Sequence, residues 1–204
     1  MLPGRYTGVS MTEIYRDTPM AKAIFEMFDN LADFLEDRGA KPGSCKAYIF
    51  GGCALHLHTN ARGSSDLDIE LEAMDRISPN ELVLALDEVF FDDPETGPSS
   101  IVFDPNFTPT LAPLHEDYQE DAIWLNRNEE DSPVWVYLVQ KVDLAISKLG
   151  RYGDQDIDDI HTLFDHGLSI EEFKYRAEEA RKYFPGNLDR LTGNITHVIK
   201  TYTK

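Results

Sequence analysis

This chain is poor in cysteine and, against its acids, in basic residues. Its two cysteines, Cys45 and Cys53, cannot form a metal cage of their own, and the expectation for both is a buried thiol in a reducing compartment. Only 19 Lys and Arg stand against 37 Asp and Glu, a net charge of -18. A chain this acidic repels phosphate backbones at long range, which disfavours general nucleic-acid binding unless bases cluster locally or cations intervene. Basic partners or metal ions fit better. Long hydrophobic runs are missing too, since no segment approaches the roughly 18 apolar residues needed to cross a bilayer. The opening MLPGRYTGVSMTEIYRD has no apolar signal-peptide core, so a cytoplasmic protein is expected. There is no internal repeat and no low-complexity tract. What is present is 42% hydrophobic residues over 204 positions, enough for one globular domain, or a core with a smaller lobe.

Periodicity divides the chain into elements. After an irregular stretch over 1–18, Ile24, Met27, Phe28, Leu31, Phe34 and Leu35 recur at three and four spacing, predicting one helix that ends near Gly39. KAYIF, 46–50, reads as a strand running into Gly51-Gly52, with a brief helix over 53–58 and a turn over 60–65. Residues 66–73 alternate strictly: Leu67, Ile69, Leu71 and Ala73 on one face, Asp66, Asp68, Glu70 and Glu72 on the other, the period of a half-buried strand. Ser78-Pro-Asn-Glu81 is a capping box that predicts a helix to about Phe91, closed by the loop DDPETGPSS. Strands are expected at 101–104, 122–126 and 134–139. From residue 141 onward four helices follow, with Gly150 and Gly167 as stops and Ser169 to Glu172 as a second capping box. The expected organisation is an α/β (α+β) fold: a mixed-sheet core with an N-terminal helix over 1–140 and a helical lobe over 141–204.

The chemistry concentrates in 50–73. A strand ending in two glycines and entering a helix offers unobstructed backbone N–H groups to a phosphate, although a glycine pair also marks ordinary tight turns. Side chains two apart on a strand project from one face, so Asp66 and Asp68 can converge on one cation, and carboxylate oxygens are hard ligands suited to Mg²⁺ or Mn²⁺. Idle acids this close repel one another, and Lys or Thr would fill a solvated face at lower cost.

The pattern Gly51-Gly52, Arg62, Ser64, Asp66, Leu67, Asp68 resembles the DNA polymerase β-like nucleotidyltransferase superfamily. It is most similar to the bacterial branch of AbiEii-type toxins and the related DUF6036 domains. A second stretch, Leu144 to Leu149 with Arg151 and then Asp156-Ile157-Asp158-Asp159, stands in the same order as in those relatives, so the resemblance covers about 47–164. It implies a mixed-sheet nucleotidyltransferase core in which the glycine turn holds an NTP and the aspartates hold two divalent ions, about 3.5 to 4 Å apart in such sites. The implied reaction moves an NMP onto an acceptor, which could be tRNA, protein or a small molecule, and releases pyrophosphate. A toxin-antitoxin component fits the same branch.

Within this reading the metal and catalytic residues are Asp66 and Asp68, with Asp104 as third carboxylate and Glu70 as the fallback. Asp104 precedes Pro105, so a turn-forming role stands beside it. Gly51 and Gly52 would hold phosphates, with Ser64 and Ser65 bonding phosphate or capping the turn. Arg62 would hold a phosphate or a structural carboxylate, and Lys148 is a phosphate candidate from the helical lobe. Asp156 and Asp159 are expected to be structural, as helix-surface acids or partners for Arg151. Gln155 departs from the pattern, standing where relatives carry a basic residue. His56 and His58, two apart on a helix, point to different faces and are not expected to share a metal. Tyr118, Trp124, Trp135 and Tyr137 are expected to pack the sheet. The alternative to catalysis is a binding or antitoxin-like protein that engages a basic partner. A tRNA-directed toxin would need a local dock, for which Lys174, Arg176, Arg181 and Lys182 are the candidates.

Overall fold

A computed structural model describes residues 14–73 and 78–203. Most of the irregular 1–18 lies outside the described residues. Helix α1, Pro19–Glu36, starts at Thr18, whose hydroxyl accepts from the Ala21 N–H at 3.1 Å, with Pro19 in the first turn where its missing N–H costs nothing. It buries Ile24, Met27, Phe28, Leu31 and Leu35, the predicted stripe apart from the half-buried Phe34, and stops before Gly39 at a positive φ of 69°.

Strand β1, Cys45–Ile49, leads without a gap into α2, Gly51–Thr59. The single strand expected over 66–73 is two strands. Strand β2, Asp66–Leu67, pairs in parallel with β5, Gly97–Phe103, whereas β3, Ile69–Ala73, pairs antiparallel with β1. The chain changes sheets at Asp68, whose carbonyl accepts from the Phe50 N–H at 2.8 Å. The alternation of faces survives the switch at first, since Leu67 and Ile69 are both buried.

The capping box at Ser78 and Glu81 forms as predicted, but α3, Pro79–Ala85, ends a turn and a half earlier than the expected Phe91. Val89–Asp93 is instead β4, antiparallel to β5, so DDPETGPSS is the end of β4, the hairpin turn and the first half of β5 rather than a loop. Two features decide this. Val89 and Ile101, opposite each other, are both buried, and the Asp93 carboxylate accepts from the N–H groups of Glu95 and Thr96, each at 2.9 Å, as Gly97 turns the chain at φ 80°.

Strand β6, Ile123–Trp124, pairs antiparallel with β7, Val134–Leu138, and β7 lies parallel to β1. The result is one four-stranded sheet, β3-β1-β7-β6, and one three-stranded sheet, β2-β5-β4. Helices α4, Lys141–Ser147, α5, Asp154–Asp165, α6, Ile170–Arg181, and α7, Leu188–Tyr202, occupy the predicted positions. Helices α4 and α5 both pack on α2, which places the C-terminal helices directly behind the glycine turn. The aromatic side chains of the large sheet pack on one another as expected: Tyr48 stacks on Tyr137 at 5.0 Å, and Trp124 lies against Trp135 at 4.9 Å.

Candidate functional site

The glycine pair is required by what lies against it. Gly51 sits at φ 61°, and a Cβ there would come within 1.7 Å of the Asp68 Oδ2. A Cβ on Gly52 would come within 2.6 Å of the Ser64 Oγ. The turn thus receives both side chains into space that any other residue would fill. Phe50, the residue preceding α2, supplies no side-chain hydrogen bond to that helix start. The first-turn N–H groups of α2 therefore have no side-chain cap.

Three carboxylates follow from the register of the small sheet. Asp66 is opposite Val102 and Leu67 opposite Phe103, and the Asp104 N–H donates to the Leu67 carbonyl at 3.1 Å, so Asp104 continues the pairing next to Asp68. Asp66 is exposed and its carbonyl is fixed twice, by the Ser64 hydroxyl at 3.1 Å and the Cys53 thiol at 3.3 Å. Burial pushes the Asp68 carboxyl above its ordinary range, and the neighbouring Asp104 and Asp66 add to this, with Lys148 and Arg151 pulling the other way. Asp104 also takes the turn role, its Oδ1 accepting from the Asn106 N–H at 2.8 Å. Among the described residues no three His, Cys, Asp or Glu side chains close into an ion-sized cluster. The donor set fits a hard divalent cation in chemistry, being all carboxylate oxygen beside a cradle that a Cβ would fill.

Behind the turn, cations meet a single carboxylate. Asp159, whose side chain is 2% exposed, takes Arg62 in a two-pronged contact of 2.8 and 2.7 Å, Lys148 at 2.7 Å, and the Gln155 amide at 3.1 Å. Burial raises its carboxyl, yet the hydrogen bonds from Arg62 and Lys148 outweigh that and hold it at about 2. Asp156 is likewise buried, binding Arg151 at 2.8 and 2.7 Å and the Gly153 N–H at 3.0 Å. Asp156 pairs with Arg151, one of the two expected roles, whereas Asp159 takes Arg62 and Lys148 instead, and both acids are interior groups and not helix-surface ones. Of the two readings open for Arg62, the structural carboxylate is the one made, and Lys148 is engaged by the same acid.

Residues 22–196 match a protein family described as a nucleotidyltransferase of unknown function (DUF6036). The chain belongs to that family. Among curated proteins no match is found.

The remaining candidates of this DUF6036 member divide clearly. Ser65 is exposed, its carbonyl accepting from the Val102 N–H at 2.8 Å. Glu70 is taken by the Tyr118 hydroxyl at 2.6 Å and the Gln119 amide at 3.2 Å, so the fallback ligand is committed elsewhere. His56 bonds Thr18 at 2.8 Å and the Arg62 carbonyl at 3.0 Å, whereas His58 bonds the Val139 carbonyl at 2.8 Å, and the two share no partner. The cations proposed as an RNA dock are neutralised in three places out of four. Arg176 reaches Asp121 and the fully buried Asp143, Arg181 pairs with Glu178 at 2.9 Å, and Lys182 with Glu179 at 2.6 Å. Arg151, expected only as a partner for an acid of α5, has a second feature. Its side chain is 80% exposed while lying close enough to Asp68 to lower that carboxyl, a position that no local pattern reveals. No described helix is long and apolar enough to cross a membrane.

Proposed function

We propose that this protein is a divalent-metal-dependent nucleotidyltransferase that moves an NMP from an NTP onto an acceptor hydroxyl and releases pyrophosphate. One observation carries the reading: the Asp68 carboxylate lies against the bare Cα of Gly51, at the N-terminus of α2, with Asp66 and Asp104 as its acidic neighbours. A metal carboxylate and an anion-binding turn so close serve one ligand that carries both phosphate and cation. Asp66 and Asp68 would hold Mg²⁺ or Mn²⁺, with Asp104 as third ligand. Such ions supply charge neutralisation at the reacting phosphoryl group. Gly51 and Gly52 would present N–H groups to the phosphates, with Ser64 and exposed Ser65 at the turn. Arg151, held by Asp156 but 80% exposed, is the cation placed to reach the triphosphate. Arg62 and Lys148 act through Asp159, fixing the turn to α5.

The division into a core over 1–140 and a helical lobe over 141–204 belongs to the same proposal, as does a role in a toxin-antitoxin pair inside the cytoplasm. Calorimetry with Mg²⁺ and each NTP tests it: wild type should give metal-dependent heat, and Asp66→Asn should remove both that heat and transfer of label. Unchanged transfer in Asp66→Asn would defeat the assignment. A second reading, a non-catalytic antitoxin-like protein that engages a basic partner, is favoured by the net charge of -18 combined with the internal pairing of Arg62, Lys148, Arg151 and Arg176. It predicts no metal-dependent NTP heat at all.

A further inference from the structure

The three-stranded sheet has one face turned outward, and the candidate metal residues are only part of it. Val89 and Ile101 point inward and are buried. The alternate positions therefore point out, and across β4, β5 and β2 they read Phe90 opposite Ser100, then Val102 opposite Asp66. Phe90 is 74% exposed and Val102 43% exposed, and they are diagonal neighbours across the β4–β5 pair, near enough to form one apolar platform. An exposed aromatic that shares a face with an aliphatic is more than a scattered surface residue. Acids stand at both ends of the platform: Asp66 at one side, and exposed Asp92, two residues beyond Phe90, at the other.

Resting on the nucleotidyltransferase reading, we propose that this face seats the acceptor, and that the acceptor is a protein segment bearing a hydroxyl residue, an apolar anchor and flanking basic residues. Charge decides between macromolecules. An RNA acceptor needs unpaired cations, but Arg176, Arg181 and Lys182 are neutralised by their own neighbours, and the outward face carries acids and apolar groups. A cationic, amphipathic segment is the complement of that face. Phe90 and Asp66 lie two strand spacings apart and two residues out of register, about 12 Å, which is the reach of roughly three to four extended residues. An anchor on Phe90 is therefore three to four residues from the hydroxyl at Asp66, with Val102 between them. In the transfer, the hydroxyl oxygen bonds to the α-phosphorus while the bond from that phosphorus to the bridging oxygen breaks. The electron pair leaves with pyrophosphate, and the hydroxyl proton passes to a site carboxylate or water.

The test uses the full chain and three probes: total tRNA and two short synthetic peptides, each with a serine three residues from a leucine, flanked by lysines in one and by glutamates in the other. Fluorescence anisotropy should show the lysine peptide binding wild type and losing roughly tenfold in affinity with Phe90→Ser, a typical loss for one aromatic anchor. Val102→Thr should weaken it in the same direction, and neither change should alter Mg²⁺-dependent NTP heat. With labelled NTPs, the label should appear on the serine of the lysine peptide. Preferential binding or labelling of tRNA or the glutamate peptide overturns the proposal, as does lysine-peptide binding that ignores both substitutions. Absence of NTP heat in wild type would instead defeat the nucleotidyltransferase reading, leaving peptide binding by Phe90 to judge the face on its own.

Discussion

Replacing Gly51 by alanine should expose how the site is built, because two separate costs arise at one atom. The first is conformational: at φ 61° an L side chain is disfavoured by about 1 to 2 kcal/mol. The second is a collision with Asp68, whose Oδ2, Cγ and Cβ lie 1.7, 2.7 and 3.0 Å from the new methyl. Turning the carboxylate about its own end cannot relieve a contact that includes Cβ, and the Asp68 backbone is tied to Phe50 at 2.8 Å. Overpacking of this kind costs about 1 to 3 kcal/mol, so Gly51→Ala should lose about 2 to 5 kcal/mol in urea unfolding followed by circular dichroism. In an Asp68→Ala background the collision disappears and only the conformational cost remains. The coupling energy from the four-protein cycle should therefore be about 1 to 3 kcal/mol. Costs that add to within about 0.5 kcal/mol would refute the packing of Asp68 on Gly51, and with it the geometric basis of the site.

Three further outcomes follow from the ion pairs. Asp159→Asn should lose about 3 kcal/mol, the lower end for breaking a buried pair because Arg62 is partly exposed, and it should also weaken NTP binding through movement of the glycine turn, read by urea melts and calorimetry. With its carboxyl held at about 2 against an ordinary 3.8, Asp159 contributes about 2 kcal/mol that is complete above pH 4 and fades as pH falls through 2, a slope the Asn variant should lack. Asp143 behaves oppositely: burial pushes it up to about 7, so its contribution is full below pH 4 and is lost as pH rises through 7. Asp143→Asn should accordingly narrow the stability difference between pH 5 and pH 8 in thermal melts. Arg151→Ala leaves the buried Asp156 with the Gly153 N–H alone, so it should cost about 1 to 3 kcal/mol in thermal melts while KM for the NTP rises.

The elements legible in the sequence were those whose signal is local. The stripe of α1, the caps of α3 and α6, and the strand entering Gly51-Gly52 each depend on residues within a turn or two of one another. Where the reading failed, the deciding contact was distant. Val89 to Asp93 continue a helical pattern well enough until Ile101 is available to pair with Val89, and only the Asp93 turn makes that hairpin close. Residues 66–73 carry one uninterrupted period of two, which specifies faces but says nothing about partners. The switch from β5 to β1 at Asp68 is therefore invisible to periodicity.

That switch explains why the motif was legible although the roles of its residues were not. Between the two sheets the chain passes a residue that belongs to neither strand, Asp68, held at the junction against a turn that has no Cβ. Gly51 with Asp68, and Gly52 with Ser64, are thus steric pairs that tie the glycine turn to the strand after it. Arg62 and Lys148 have no such local constraint. Their partner Asp159 is 97 residues from Arg62 and 11 from Lys148, and nothing near either cation distinguishes an inward carboxylate from a bound phosphate. The acid wins both cations because it is buried where solvent cannot compete, and a buried carboxylate that lost either would be left with charge uncompensated. The consequence for the site is mechanical: Arg62 fastens the loop before Asp66 to α5, so movement of α5 reaches the carboxylates through that side chain as well as through its packing on α2.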